Sequence, residues 1–200
     1  MQLDQKEKGF SFSKEGPLDM RMDPTSALTS EQIINHWPEE KIGHLFKEYG
    51  EEPRWRRAAK AIVEARHKAK IKTTTQLADI IKDALKGSSK KKLHPATLIF
   101  QALRICVNDE LNAIQTALTK AMGMLSPGGR IGVLSFHSLE DRIVKNIFKA
   151  ASTRTTRQEK QGVPMPLMHL LTKKPLVPSL AEINFNPRSR SAKLRFAEKT

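Results

Sequence analysis

"GGRIGVLSFHSLEDRIVK", residues 128–145, decides the fold of this 200-residue chain. The apolar run at residues 131–134 follows a glycine turn and precedes a helical pattern, so the stretch predicts a strand followed by a helix, as in an α/β unit. Ligands of open α/β sheets bind beyond the carboxyl ends of strands, where Ser135 and His137 fall. We therefore expect a site there. Alternatively, Ser138 caps the following helix.

The composition indicates a globular protein with a polyanionic partner. Hydrophobic residues make up 38% of the chain and charged residues 28%, and the net charge is +14. Such an excess of positive charge favours nucleic acid, and less strongly an anionic membrane surface. The sequence contains neither the long apolar run of a membrane-spanning helix nor a signal-peptide core, so we expect a soluble protein. Cys106 is the only cysteine, which excludes an intramolecular disulfide and a Cys-rich zinc site and fits a reducing compartment.

The pattern along the chain predicts three parts. Residues 1–27 are rich in turn signals and are expected to form a long structured loop. Residues 28–92 are expected to form a small helical domain, in which Thr73 and Gln76 have the spacing of a capping box. Residues 93–200 carry a long helix, the strand and helix described above, and two closing strands.

The helix expected from Pro95 onward, broken once, has an apolar stripe and a polar row beside it. The polar row consists of His94, Gln101, Arg104 and Asn108. A helix with such a row can line a site, and we consider these residues candidates for substrate contact. The alternative is a solvated face, with His94 capping the helix and Arg104 paired with Asp109 or Glu110.

Basic residues in two further segments are candidates for phosphate contacts. Arg56 and Lys60 lie opposite the apolar face of a predicted helix, and Arg188 and Arg190 precede the last predicted strand. Such residues neutralise the backbone of a nucleic acid. A solvated basic surface is the alternative.

Several motifs resemble, in order and spacing, the MraW-type 16S ribosomal RNA cytosine-N4 methyltransferases: GFSF, GPLDMRMD, YGEE, HPAT, LSPGGR, SFHSLEDRIVK and NPRSRSAKLR. The resemblance runs over essentially all 200 residues. It implies a Rossmann-like class I methyltransferase domain with an inserted all-helical domain, which would be residues 28–92. It further implies methyl transfer from S-adenosylmethionine to the exocyclic amine of a cytosine in the decoding region, at the P site, of small-subunit 16S ribosomal RNA.

Residue chemistry gives candidate roles within that reaction. We expect Asp19 to accept a hydrogen bond from the target base, Arg21 to contact phosphate or base, and Ser135 with His137 to orient the base. The alternatives are a turn-stabilising carboxylate for Asp19 and a buried structural histidine for His137. A sulfonium methyl donor needs no metal, and we expect none.

One part of the family pattern has no counterpart. The chain contains no G-x-G sequence and no match to the acidic residues that hold the cofactor, and of the family's cofactor contacts only Gln2 is matched. The sequence thus resembles the C-terminal two-thirds of such an enzyme, and we expect an exposed sheet edge and impaired activity of this chain alone.

Three hypotheses follow from that departure. The first is a methyltransferase whose N-terminal half is either cut from this sequence or supplied by a separate chain. The others are an inactive ribosomal RNA-binding fragment and an interaction protein, including a homodimer, that pairs through its sheet edge. The expected compartment is the bacterial cytoplasm, with an organelle as the alternative.

Overall fold

A computed structural model of the chain describes residues 6–86, 94–153 and 167–200. It divides into two compact units, Met1–Glu110 and Leu111–Thr200. Within the described residues, no helix is long and apolar enough to cross a membrane.

The first unit is helical. After a 3₁₀ turn at Lys6–Lys8, its helices are α1 (Ser30–His36), α2 (Glu39–Glu48), α3 (Trp55–Lys68), α4 (Thr74–Ala84) and α5 (Thr97–Val107). Each helix buries one apolar face in a shared core, as the periodicity predicts. The side chains that lie deepest in that core include Ile33, Phe46, Ile62, Leu77 and Ile99.

The capping box predicted at Thr73 and Gln76 is confirmed. The backbone N–H of Gln76 donates to Oγ1 of Thr73, and the Gln76 side chain accepts from the Thr73 N–H. A second box, formed by Thr29 and Gln32, begins α1. Each box satisfies donors that the first helical turn leaves without a partner, so the two helices begin at defined residues.

The predicted break in the long helix is also confirmed. Helix α5 ends at Val107, and helix α6 spans Glu110–Met124. Between them Asp109 has a φ of 47°, a left-handed conformation in which an α-helix cannot continue. The break leaves Asn108 at the end of α5.

The second unit combines helices with a small sheet. Strands β1 (Arg130–Ser135), β2 (Met168–Leu170) and β3 (Lys193–Lys199) pair antiparallel in the order β1-β3-β2. Helix α7 (Ser138–Ser152) follows β1 and packs against all three strands. Helix α8 (Leu180–Phe185) and a 3₁₀ turn at Pro187–Ser191 precede β3. The core of this unit contains Leu118, Met122, Val144, Phe148, Met168 and Ala197.

The mixed α/β class is therefore confirmed, and the strand and helix predicted within residues 128–145 are both present. The first closing strand is shorter than expected, with only Met168–Leu170 in regular pairing and one isolated bridge from Leu176 to Leu194. The Rossmann-like sheet and the three-part domain scheme stay predictions. The two compact units of the structure divide after Glu110.

Strand β1 lies at an edge of the sheet, since β3 is its only partner among the described residues. On the face of β1 that points away from α7, Gly132 lies beneath the ring of Phe196, which a Cβ would overlap. Leu134 is 54% exposed there, and Phe136 just beyond the strand is 51% exposed. The expected exposed edge with apolar side chains is thus present within the part of the chain that the structure describes.

Candidate functional site

In the GPLDMRMD segment, Asp19 and Arg21 form a close ion pair. Arg21 donates from Nε to Oδ1 of Asp19 at 2.7 Å and from Nη2 to Oδ2 at 2.9 Å. The Arg21 backbone N–H also donates to Oδ1 at 3.0 Å, so the turn-stabilising role that was the alternative for Asp19 is present. The Asp19 side chain remains 31% exposed, which leaves acceptor capacity for another donor.

The loop that carries this pair is held from several sides. Asn108 donates from Nδ2 to the carbonyl of Met20 at 2.8 Å and accepts at Oδ1 from the Met22 N–H at 2.7 Å. Met20 is fully buried with a φ of 63°, a conformation that costs a non-glycine residue free energy. Nη1 of Arg21 also donates to the backbone carbonyls of Pro24 and Ser26, farther along the same loop. The position of Asp19 is thereby fixed by contacts to α5 and within the loop.

The electrostatics of the pair keep Asp19 ionised. Hydrogen bonding to the Arg21 side chain lowers the pKa of Asp19, against a smaller opposing effect of burial. A carboxylate with a lowered pKa is a weak base but a good hydrogen-bond acceptor. The arrangement therefore suits Asp19 for holding an N–H group rather than for taking its proton.

The other members of the polar row also make internal hydrogen bonds. His94 accepts at Nδ1 from the Ala96 N–H and stacks on Phe12, with ring centroids 4.6 Å apart. Gln101 donates to the Tyr49 carbonyl at 3.2 Å. Arg104 pairs with Glu110 through contacts of 2.7 and 2.9 Å. The structural alternatives for His94 and Arg104 are therefore present, and substrate contact by the row stays a prediction.

The exposed face of α3 is basic. Arg56 and Lys60 both lie on it, as predicted. The Arg56 guanidinium lies 4.1 Å from the centroid of the Trp55 ring, and Lys60 is 3.8 Å from Glu64. Arg66 of the same helix is instead used internally, donating to the carbonyls of Ile34 and Trp37.

At the strand end, His137 rather than Ser138 caps α7, so the expectation of a Ser138 cap is wrong. Nδ1 of His137 accepts from the Glu140 N–H at 3.3 Å. Oε2 of Glu140 accepts from the N–H groups of Phe136 and His137 at 2.7 and 3.1 Å. His137 has the extended backbone of an N-cap, and Ser138 is the first helical residue. Ser135 is buried, and its hydroxyl donates to the Lys193 carbonyl at 3.3 Å.

The capping box has its own electrostatics. Burial acts to raise the pKa of Glu140, but the His137 ring and the two N–H groups outweigh it and lower that pKa. Nε2 of His137 lies 3.2 Å from Oε1 of Glu140 without the alignment of a hydrogen bond, and no other described group satisfies it. The His137 side chain is only 9% exposed. These contacts supply the structural role that was the alternative for His137, while base orientation by Ser135 and His137 stays a prediction.

Two candidates for phosphate contact belong to the second unit. Arg188 and Arg190 are exposed on the 3₁₀ turn that precedes β3. Gln2, the predicted cofactor contact, lies outside the described residues. Asp19, Arg21 and Asn108 are brought together in the first unit, and Ser135 and His137 in the second.

Comparison with known proteins supports the resemblance over the whole chain. Residues 1–200 match the MraW methylase family. The chain belongs to this family. It is 52% identical to the ribosomal RNA small subunit methyltransferase H of Protochlamydia amoebophila over 203 aligned residues, which cover 99% of this chain and 64% of the relative. It is 49% identical to the protein of the same name from Synechococcus elongatus, with 99% and 62% covered. The chain thus spans less than two-thirds of the length of either relative.

One interaction in this member of the MraW family escaped sequence reasoning. Arg195 of β3 donates from Nε and Nη2 to the two carboxylate oxygens of Asp141 at 2.7 and 3.2 Å, and both side chains are nearly buried. Hydrogen bonding to Arg195 lowers the pKa of Asp141. Alternation along β3 places Arg195 on the same buried face as Ala197, toward α7. That alternation could have indicated from the sequence that Arg195 is buried and needs a charged partner.

Proposed function

We propose that this chain is the RNA-handling part of an S-adenosylmethionine-dependent methyltransferase. Its target is the N4 amine of a cytosine in the decoding region of 16S ribosomal RNA. The observation that carries the proposal is membership of the MraW methylase family over all 200 residues. The names of the two relatives, ribosomal RNA small subunit methyltransferases, support RNA of the small ribosomal subunit as the substrate.

The proposed chemistry requires a group that holds the cytosine amine. The amine is conjugated with the ring and is a poor nucleophile, so the site must fix its N–H protons with acceptors and align its lone pair. Asp19 is our candidate acceptor, because Arg21 keeps its carboxylate ionised and the loop contacts fix its position. Such a carboxylate would orient the amine without removing its proton beforehand.

The remaining proposed contacts divide between phosphate and base. Arg56, Lys60, Arg188 and Arg190 are exposed and are assigned to the RNA backbone. The net charge of +14 favours that partner. Base contacts are assigned to Ser135 and His137, and a supporting role near the substrate to His94, Gln101, Arg104 and Asn108. The bacterial cytoplasm, where small ribosomal subunits are made, is the proposed location.

The described residues do not fit the cofactor. A cofactor of this kind needs a loop whose backbone N–H groups approach it and acidic side chains that bind its ribose. The one glycine pair, Gly128 and Gly129, forms the turn into β1, where Gly128 has a φ of 79° and donates to the Lys199 carbonyl. That pair is therefore engaged in the sheet, and we assign no catalytic step through the cofactor. This mismatch favours a second candidate function for the chain alone, an inactive fragment that binds ribosomal RNA.

The reaction is tested in a chimera that joins this chain to the residues of the Protochlamydia relative outside the match. The chimera is incubated with small ribosomal subunits and isotope-labelled S-adenosylmethionine, and the RNA is digested for nucleoside mass spectrometry. The proposal predicts labelled N4-methylcytidine. Label in a different nucleoside contradicts it. A folded chimera that binds cofactor and RNA without transferring a methyl group favours the inactive fragment.

A further inference from the structure

A cleft of about 480 Å³ opens between α2 and α3 in the first unit. Trp55 lies in it, with Glu39 and Glu40 on one side and His44, Lys47 and Arg56 completing the wall. The cleft combines an aromatic surface, carboxylate acceptors and cationic groups. None of these residues belongs to the strand-end cluster or to the Asp19 loop.

The orientation of Trp55 is fixed by the packing of α3 on α2. A Cβ on Gly43 would lie 2.7 Å from Cε3 and Cζ3 of the Trp55 ring, so glycine at this position lets the indole approach the backbone of α2. The His44 ring centroid is 5.7 Å from that of Trp55, and the Arg56 guanidinium is 4.1 Å away. Trp55 itself is half-buried. Because the Arg56 guanidinium lies over the face of the half-buried ring, the fixed Trp55–Arg56 pair offers an aromatic ring and a guanidinium plane as a stacking surface.

The rim of the cleft carries groups that suit the polar parts of a nucleotide. Lys47 and His44 are 52% and 56% exposed, and the Glu40 carboxylate is 87% exposed. Lysine and arginine neutralise phosphate, and carboxylates accept hydrogen bonds from the amines of bases. Arg57 and Lys60 extend the basic surface along α3 beyond the cleft.

The occupant that combines these features is an unpaired base of RNA. Proteins recognise single-stranded RNA by stacking splayed bases on aromatic rings or guanidinium planes and by bonding to their edges. A paired base within a duplex has its faces covered by its neighbours and cannot stack in this way. The charge of the chain favours a polyanion over a neutral aromatic ligand.

We propose that the α2–α3 cleft binds one unpaired RNA base, stacked on the Trp55–Arg56 pair, with Glu39 and Glu40 positioned to accept from an exocyclic amine. This inference rests on the proposed RNA-binding function and names a site for it. It assigns Trp55 a contact with RNA in addition to its packing on α2.

The test uses the two tryptophans as separate reporters. In Trp37→Phe the remaining indole is Trp55, and in Trp55→Phe it is Trp37, which already has the Lys41 ammonium 3.7 Å from its ring. Each variant is titrated with a fluorescein-labelled single-stranded octaribonucleotide of mixed sequence, while anisotropy records total binding. The same octamer in a duplex and an abasic octamer are the matched probes.

Stacking predicts that single-stranded RNA quenches Trp55 emission in Trp37→Phe with the dissociation constant found by anisotropy. It also predicts no quenching by the abasic octamer or the duplex, and no response of Trp37. Trp55→Ala should weaken binding roughly 5- to 150-fold, and Arg56→Ala tests the same site without removing the indole. If anisotropy shows binding while Trp55 emission is unchanged, the proposed base site in the cleft is wrong, but the proposed RNA-binding function is not contradicted. Absence of binding to every probe overturns both.

Discussion

Asp19 is the residue on which the proposed handling of the cytosine amine depends. In the chimera, Asp19→Asn keeps the shape of the side chain but loses the charge that pairs with Arg21. We expect single-turnover methylation to fall roughly 100-fold or more, as for a lost positioning or proton-handling group. Quench-flow measurement of labelled methyl incorporation gives the rate.

The matched control is Asp23→Asn in the same loop. Asp23 accepts from the N–H and the hydroxyl of Thr25 and is exposed. Its replacement should leave the methylation rate within a few-fold of the unmodified chimera. Equal losses in both variants would indicate that the loop fold, rather than the Asp19 carboxylate, is what matters.

Two variants of His137 distinguish its role as the N-cap of α7 from its proposed role in orienting the base. His137→Ala removes the acceptor for the Glu140 N–H and should lower the free energy of unfolding by about 1 kcal/mol. His137→Asn supplies a favourable N-cap acceptor and should restore most of that loss. Urea denaturation of this chain measures both values. Equal destabilisation in the two variants would exclude the cap as the source of the stability.

The same two variants in the chimera address the proposed catalytic role. If His137 orients the base, the His137→Asn variant should be stable but slow in methyl transfer. If the ring only caps α7, the Asn variant should retain its single-turnover rate. That second result would remove His137 from the proposed site.

At the level of elements, the Asp141–Arg195 pair joins α7 to β3. Asp141→Asn leaves the nearly buried Arg195 without its charged partner, which should cost about 3 kcal/mol or more of unfolding free energy at neutral pH. The double variant Asp141→Leu with Arg195→Met removes both charges and should recover much of the loss. Guanidinium denaturation followed by circular dichroism measures these differences, and an unimpaired Asp141→Asn would contradict the account.

The pair also predicts the pH dependence of stability. Arg195 holds the pKa of Asp141 below the ordinary aspartate value of 3.8. A carboxylate whose folded-state pKa is lowered contributes stability above its unfolded-state pKa and loses that contribution as the pH falls through the folded value. Between pH 6 and pH 2 the unfolding free energy of the double variant should therefore fall less steeply than that of the unmodified chain. Identical slopes would show that Asp141 titrates alike in both states.

Local patterns predicted much of the element structure. The Thr73 capping box, the helix break before Glu110 and the strand and helix of residues 128–145 all depend on neighbouring residues, so sequence encodes them directly. The pairing of Asp141 with Arg195 joins residues 54 positions apart and depends on how α7 lies on β3. Such distant pairing is not contained in a local pattern. The cap at His137 was missed because serine is the more common N-cap residue.

For the whole molecule, the account predicts weak or absent binding of S-adenosylmethionine by this chain. The glycine pair Gly128 and Gly129 forms the turn into β1, and no glycine-rich loop occurs in the sequence. Isothermal titration of the 200-residue chain with the cofactor should show no saturable heat at micromolar concentrations. The chimera is the positive control. A micromolar dissociation constant for the chain alone would contradict our view of the cofactor site.

The central claim is that this chain holds RNA through a basic helical surface. The most direct test is fluorescence anisotropy of the 200-residue chain with a labelled fragment of small-subunit ribosomal RNA from 50 to 200 mM salt. We predict an affinity that falls steeply with salt, because bound phosphates release counterions. Reversing Arg56 and Lys60 to glutamate should weaken binding and lower the slope by about two counterions, more than reversing the exposed Lys120 and Lys174. A salt-independent affinity, or equal losses in the two double variants, would contradict the claim.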